Sequence, residues 1–184
     1  IRRYDATAGT LDIDFVVHED AGPGSAFALR AKTGDIVGLL GPGGGGIRFA
    51  ADWYLLAGDE TALPAITRIL EALPPGARGI AFIEVADAAE EQPIAIQADI
   101  AIRWLHRNGA AAGTTTLLAD AVREAAFPED DTPIFAWVAC ELDGFKAIRS
   151  HLRKERGLKK SQHLVVSYWR KGKTDDDKFD RDDG

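Results

Sequence analysis

The run Trp53-Tyr54-Leu55-Leu56-Ala57-Gly58-Asp59-Glu60-Thr61-Ala62-Leu63-Pro64-Ala65-Ile66 decides the fold. Its first five residues are bulky or apolar, the length and composition of a short strand buried on both faces. Gly58-Asp59-Glu60 turns the chain. From Thr61 the period changes, and Leu63, Ile66, Leu70 and Leu73 form one stripe of a helix over 61–73. Pro64 falls in the first turn, where a missing N–H is tolerated. Strand, turn and amphipathic helix make one βα unit, and the pattern continues downstream. Residues 79–85, 100–105, 134–140 and 163–169 read as strands, and 115–126 as a helix. Asp143 is placed to cap a helix running to Arg156, with Gly157 at its C-terminus. Strands alternating with helices imply a parallel sheet covered on both faces.

Upstream the pattern is strand, turn, strand. Over 11–18, Leu11, Ile13, Phe15 and Val17 share one face and Asp12, Asp14 and His18 the other, with Val16 the exception. Ala8-Gly9-Thr10 reads as a turn and residues 1–4 as the other arm of a hairpin. Gly22-Pro23-Gly24-Ser25 leads into a short helical run over 26–31, and Gly34-Asp35 turns into a second apolar strand over 36–40. Gly41-Pro42-Gly43-Gly44-Gly45-Gly46 reads as a loop and a domain boundary. The division expected is 1–46, 47–170 and a disordered charged tail, 171–184. No internal repeat is visible.

Bulk properties narrow the function. The chain has 184 residues, about the size of one generous domain or one domain and part of another, and its net charge is −7. That sign argues against a duplex nucleic-acid binder, which needs a basic face. Apolar runs are short, so no membrane insertion is expected, and no signal-peptide pattern opens the chain. One cysteine, Cys140, excludes an internal disulfide and fits a reducing compartment, so a cytoplasmic protein is expected. No Cys/His cluster suggests a bound metal. There is no methionine, and Ile1-Arg2-Arg3-Tyr4 reads as strand, so further residues are expected upstream.

Three stretches carry a resemblance. Asp14-Phe15-Val16-Val17-His18 followed by Ala21-Gly22-Pro23-Gly24-Ser25 looks like the flavin-barrel motif of siderophore-interacting proteins. Residues 52–66 resemble that family's nucleotide-domain signature almost throughout, and Ser167-Tyr168-Trp169-Arg170 resembles its closing Gly-Tyr-Trp-Arg motif. The likeness runs from Ile1 to about Arg170. Four positions depart from it: Glu19 and Ser167 stand where glycine is usual, Phe27 where tryptophan is, and Cys140 where glycine is common. The family's leading flavin motif would end at Ile1-Arg2.

The resemblance implies a β-barrel remnant plus an α/β domain. The first is a flavin-binding antiparallel barrel with its N-terminal part missing; the second is a parallel-sheet nucleotide-binding domain, on the plan of ferredoxin–NADP reductase relatives. It implies FAD and NAD(P)H as cofactors, a ferric siderophore as substrate, and hydride transfer to FAD followed by single-electron reduction of Fe(III). No acid–base catalytic residue is needed at the iron, and a monomer is expected. Two other readings stand beside it: a general NAD(P)H-dependent flavin or quinone reductase, and a siderophore-binding protein without enzymatic activity.

Cofactor-binding candidates follow. Arg2 is the last recognisable position of the leading flavin motif. Gly22, Pro23, Gly24, Ser25, Ala26 and Phe27 would bring a helix start to a pyrophosphate, or form an ordinary turn with Ser25 as N-cap. His18 would bond flavin, or be a solvated strand end. Gly58, Asp59, Glu60, Thr61 and Ala62 occupy the strand-to-helix turn where an open sheet binds phosphate. Thr61 and Ala62 would present N–H donors there, while Asp59 and Glu60 would face flavin, nicotinamide or the chelate entrance. Glu84 reads as a ribose acceptor favouring NADH or as a solvated glutamate. Glu141 would line the site, and Cys140 would be a small buried residue or a redox group. Tyr168 and Trp169 would stack on a flavin or adenine ring, or pack between domains. The basic region from Lys146 to Lys160 is the wet side of a helix, or an attractor of anionic ligands.

Overall fold

A computed structural model describes residues 1–17, 22–39 and 51–173. Two compact units divide the chain, one within Ile1–Phe49 and one within Ala50–Gly184.

In the first unit, β1 (Arg3–Asp5) pairs antiparallel with β2 (Thr10–Asp12), giving the expected hairpin. Asp5 closes its turn by accepting the N–H groups of Thr7 and Ala8 at 2.8 and 2.9 Å, which hold its carboxyl below the usual range. Two strand expectations fail here. Residues 13–17 and 36–39 carry no regular structure, although their alternation suits strands. Alternation marks a face, but a strand forms only where a neighbour takes up its backbone groups. Among the described residues, the three residues of β1 are the partner that β2 has. The 13–17 segment instead leans on α1 (Pro23–Arg30), through Phe15 against Phe27 and the Ser25 hydroxyl donating to the Val16 carbonyl. The helix starts three residues before the expected 26, because Pro23 at its first position needs no N–H partner. Its N-cap is Gly22, not Ser25.

The second unit is an all-parallel sheet of five strands in the order β5-β4-β3-β6-β7. Its strands are β3 (Trp53–Asp59), β4 (Arg78–Val85), β5 (Asp99–His106), β6 (Ile134–Glu141) and β7 (His163–Trp169). The helices are α2 (Leu63–Ala72), α3 (Leu117–Glu124) and α4 (Leu142–Ser150), which continues as a π turn, His151–Glu155. On one face Leu55, Ala57, Phe82, Ala136 and Val138 pack with Leu118 and Val122 of α3 and Ile148 of α4. Alternation sends Tyr54, Leu56 and Gly58 to the opposite face, where Ile66 of α2 meets Gly58. The central strands are buried almost end to end, so their sequences read as unbroken apolar runs.

The start of α4 differs from expectation. The N-cap of α4 is Glu141, whose carboxylate accepts from the Asp143 N–H; Asp143 itself lies inside the helix. Much of the basic region is structural rather than free. Arg156 stacks on Phe127 at 4.5 Å and donates to the Ala125 carbonyl that ends α3. Arg149 lies over Phe145, and Arg153 donates to His163, whose imidazole is held below its ordinary pKa mainly by burial. No helix among the described residues is long and apolar enough to cross a membrane.

Candidate functional site

The sheet reverses its winding between β3 and β6, and the carboxyl ends of those strands are where an open α/β sheet takes its ligands. Asp59 ends β3 and Glu141 ends β6. Asp59 is buried, and its two oxygens receive four donors. Oδ1 accepts the Thr61 N–H at 3.0 Å and the Thr61 hydroxyl; Oδ2 accepts the Glu141 N–H at 3.0 Å and the indole Nε1–H of Trp169 at 2.8 Å. Burial pushes the Asp59 carboxyl above its ordinary value, and the bonds from Thr61 and Trp169 pull it partly back. Glu141 joins α4 to the exit of β7, since its other oxygen accepts the Lys171 N–H at 3.1 Å.

Beside this group lies a second one. Arg107, just past β5, grips Glu60 with both terminal nitrogens, one at 2.8 Å, and lies 3.6 Å from Glu84. Thr115 donates to the other oxygen of Glu84 at 3.1 Å. Glu84 is buried and its carboxyl is raised, chiefly by desolvation. The Nε of Arg107 is buried with no partner among the described residues. Sequence reasoning missed Arg107, Thr115 and Gly113, because their partners are distant along the chain and no local motif marks them.

These contacts revise several expectations. The N–H groups of Thr61 and Ala62 are not offered to a phosphate: one bonds the Asp59 carboxylate and the other the Asp59 carbonyl at 2.9 Å. Gly58 does not open the backbone to a ligand. A Cβ there would lie 2.5 Å from the Ala62 Cβ and 2.7 Å from the Ala139 carbonyl oxygen, so its space is already filled. The β3–α2 turn therefore does not fit a pyrophosphate. Asp59 and Glu60 both face inward to protein partners rather than outward. Glu84 is not solvated.

Tyr168 and Trp169 take different neighbours. Tyr168 meets Trp137 edge-on, while Trp169 lies between Asp59 and Gly113. Cys140 is buried, and desolvation together with Asp59, Glu141 and Glu84 drives its thiol pKa far upward. A thiol reagent is accordingly expected to modify native Cys140 at least about 100-fold more slowly than the urea-unfolded protein. Comparable rates in the two states would show that the thiol is accessible.

In the first unit the helix start suits a flavin phosphate better. A Cβ at Gly22 meets nothing within 4 Å among the described residues, and at Gly24 only the Phe15 ring at 3.8 Å. The leading N–H groups of a helix have no intrahelical acceptor. Ala26 is already within the helix ladder, its N–H bonded to the Gly22 carbonyl. Arg2 extends the hairpin by donating its backbone N–H to Asp12. His18 lies outside the described residues. Among those residues no group of three or more His, Cys, Asp or Glu could hold a metal ion.

Residues 1–46 match the siderophore-interacting FAD-binding domain model, and residues 51–172 match the siderophore-interacting protein model. The ferric vibriobactin reductase ViuB of Vibrio cholerae is 38% identical over 177 residues, covering 96% of this chain and 65% of that protein. The ferric acinetobactin reductase of Acinetobacter baumannii is 29% identical over 94% of this chain and 59% of its own length. A crystal structure of a siderophore utilization protein from T. fusca superposes with a TM-score of 0.86 at 49% identity, over 94% of this chain and 65% of that one. The chain thus spans about two thirds or less of each of these relatives. It belongs to the siderophore-interacting protein family, and its first 46 residues match that family's FAD-binding domain.

Proposed function

We propose that this protein is a ferric-siderophore reductase in which bound FAD accepts a hydride from NAD(P)H and delivers the electrons singly to Fe(III) in a siderophore. The observation that carries this is the tandem match, an FAD-binding domain followed directly by the siderophore-interacting module. Fe(II) binds hard oxygen chelators far less tightly than Fe(III), so reduction frees the metal. The residues need only place donor, flavin and chelate in line and exclude water. Arg2, His18 and the stretch from Gly22 to Phe27 are assigned to FAD, within a domain completed as a barrel. The carboxyl edge of the parallel sheet, with Glu141 and Trp169, is assigned to the nicotinamide. We place the protein in the cytoplasm, acting as a monomer.

The test is an anaerobic visible spectrum of the full-length protein, taken alone, after NADH, and after a ferric siderophore. A flavin band that bleaches with NADH and returns with the chelate is the expected result. A band that bleaches yet ignores every ferric chelate would indicate a general reductase. A protein that cannot be loaded with FAD would leave a siderophore-binding role.

Cofactor preference follows from charge. The buried guanidinium at this edge, Arg107, is already held by Glu60 and Glu84. A 2′-phosphate brought beside Arg107 would meet Glu60 and Glu84, which already hold that guanidinium. NADH should therefore exceed NADPH in kcat/KM by about tenfold or more. Steady-state comparison of the two donors checks this, and a preference for NADPH would contradict it.

A further inference from the structure

Three independent features converge on one side chain. β7 holds an extra residue where Cys140 pairs with Ser167 and Glu141 with Trp169, and such a bulge re-aims the residue that follows it. The Trp169 indole N–H is tied to Asp59 at 2.8 Å. The far end of the same ring rests on Gly113, where a Cβ would lie 2.9 Å from the Trp169 Cη2 and also 2.9 Å from Glu141 Cγ. Gly113 has φ +68, a conformation that suits glycine. A ring held at both ends does not swing over a ligand; it presents a fixed surface.

Asp59 is equally committed. A carboxylate offers about four lone-pair sites, and its four donors come from the β3–α2 turn, the end of β6 and the end of β7. It has nothing left to offer a bound molecule. Its role is to set the geometry of its neighbours.

We infer that Asp59 is a positioning residue for the proposed hydride transfer: it fixes the plane of Trp169, which forms the wall against which the nicotinamide ring is set. This rests on the reductase reading above. The charge of the edge agrees with a ring there rather than a phosphate. When the dihydronicotinamide releases hydride, both electrons and the proton leave together and the ring becomes a cationic pyridinium. An indole face and nearby carboxylates favour that cation.

The test uses the full-length flavoprotein as wild type, Asp59→Ala, Trp169→Phe and the double variant. Anaerobic stopped-flow bleaching is followed against NADH concentration, with near-UV circular dichroism and urea unfolding as readouts independent of turnover. Each single change is expected to raise the half-saturating NADH concentration about tenfold, and the double no more than the worse single, because both break one interaction. The unfolding free energies should be non-additive in the same way, and KM for the ferric chelate should stay within about twofold. Asp59→Asn, whose amide can turn its carbonyl toward Trp169, should stay within about threefold of wild type. If Asp59→Ala does not fold, Gly113→Ala displaces the ring from its other end and should raise the NADH requirement similarly. Effects of Asp59→Ala and Trp169→Phe that multiply, or a Trp169→Phe protein that binds NADH normally, would overturn the inference. A wild-type flavin that neither nicotinamide bleaches would overturn the reductase reading itself, and this inference with it.

Discussion

Gly58→Ala is expected to destabilise the parallel-sheet unit by about 2–4 kcal/mol with no nucleotide present. The new methyl group would lie 2.5 Å from the Ala62 Cβ, 2.7 Å from the Ala139 carbonyl oxygen and 3.0 Å from Ile66 Cδ1. The carbonyl belongs to β6, the strand paired with β3, and cannot withdraw without disturbing that ladder. Ala62 is the N-cap of α2, so the helix start would have to shift as well. Urea unfolding of the nucleotide-free protein measures the loss. The result discriminates between two uses of a glycine. If Gly58 served to admit a phosphate, alanine would leave the free protein as stable as wild type and weaken only nucleotide binding.

The second large effect is expected at Arg107. Arg107→Met removes the cation from between two carboxylates. Glu60 is partly exposed, with 24% of its side chain accessible, and water can recover it; Glu84, at 8%, stays buried and unpaired. Breaking a buried pair from one side typically costs 3–5 kcal/mol, so a loss of about 3 kcal/mol at neutral pH is expected. The pH dependence has a definite sign. Burial already raises Glu84, and Arg107 is one of the influences that lower it. Without the guanidinium the folded-state pKa rises further above its unfolded value of about 4.3, and the folded form binds the proton more tightly. The variant should therefore regain stability as pH falls from neutral through that raised pKa, and its deficit against wild type should shrink. Adding Glu84→Gln in the Arg107→Met background should recover part of the loss at neutral pH. A deficit independent of pH would mean that lost packing, not the stranded carboxylate, is responsible.

The βα alternation was legible because strands covered on both faces must be apolar almost throughout, and β6 and β7 lie within a residue of their expected limits. Their polar ends were harder. Asp59 and Glu141 read as groups facing a ligand until the strands are laid side by side, when β3, β6 and β7 bring Asp59, Glu141 and Trp169 together. The Glu60–Arg107–Glu84 cluster lacks a local signature for the same reason, since the turn after β3, the strand β4 and the exit of β5 supply its members. In the first unit the alternation of Leu11, Ile13, Phe15 and Val17 does not make a strand beyond Asp12, because pairing depends on a neighbour that periodicity does not reveal. The flavin resemblance was legible only as a motif. The open helix start that the motif forms at Gly22 needed the backbone.

The strand order also sets the sequence of events as the chain is synthesised. β3, β4 and β5 emerge first and can pair in series, leaving one edge of β3 bare until β6 arrives. Parallel pairings that close long loops are slow, and an uncovered edge invites association with another chain. Asp59 points at partners supplied by the last two strands of this sheet to be made, the ends of β6 and β7. Until they dock, its carboxylate lacks two of its four donors. Completion of that small network is thus a late marker of maturation, and a chain cut short before β7 would retain most of the sheet while remaining exposed to chaperones and proteases.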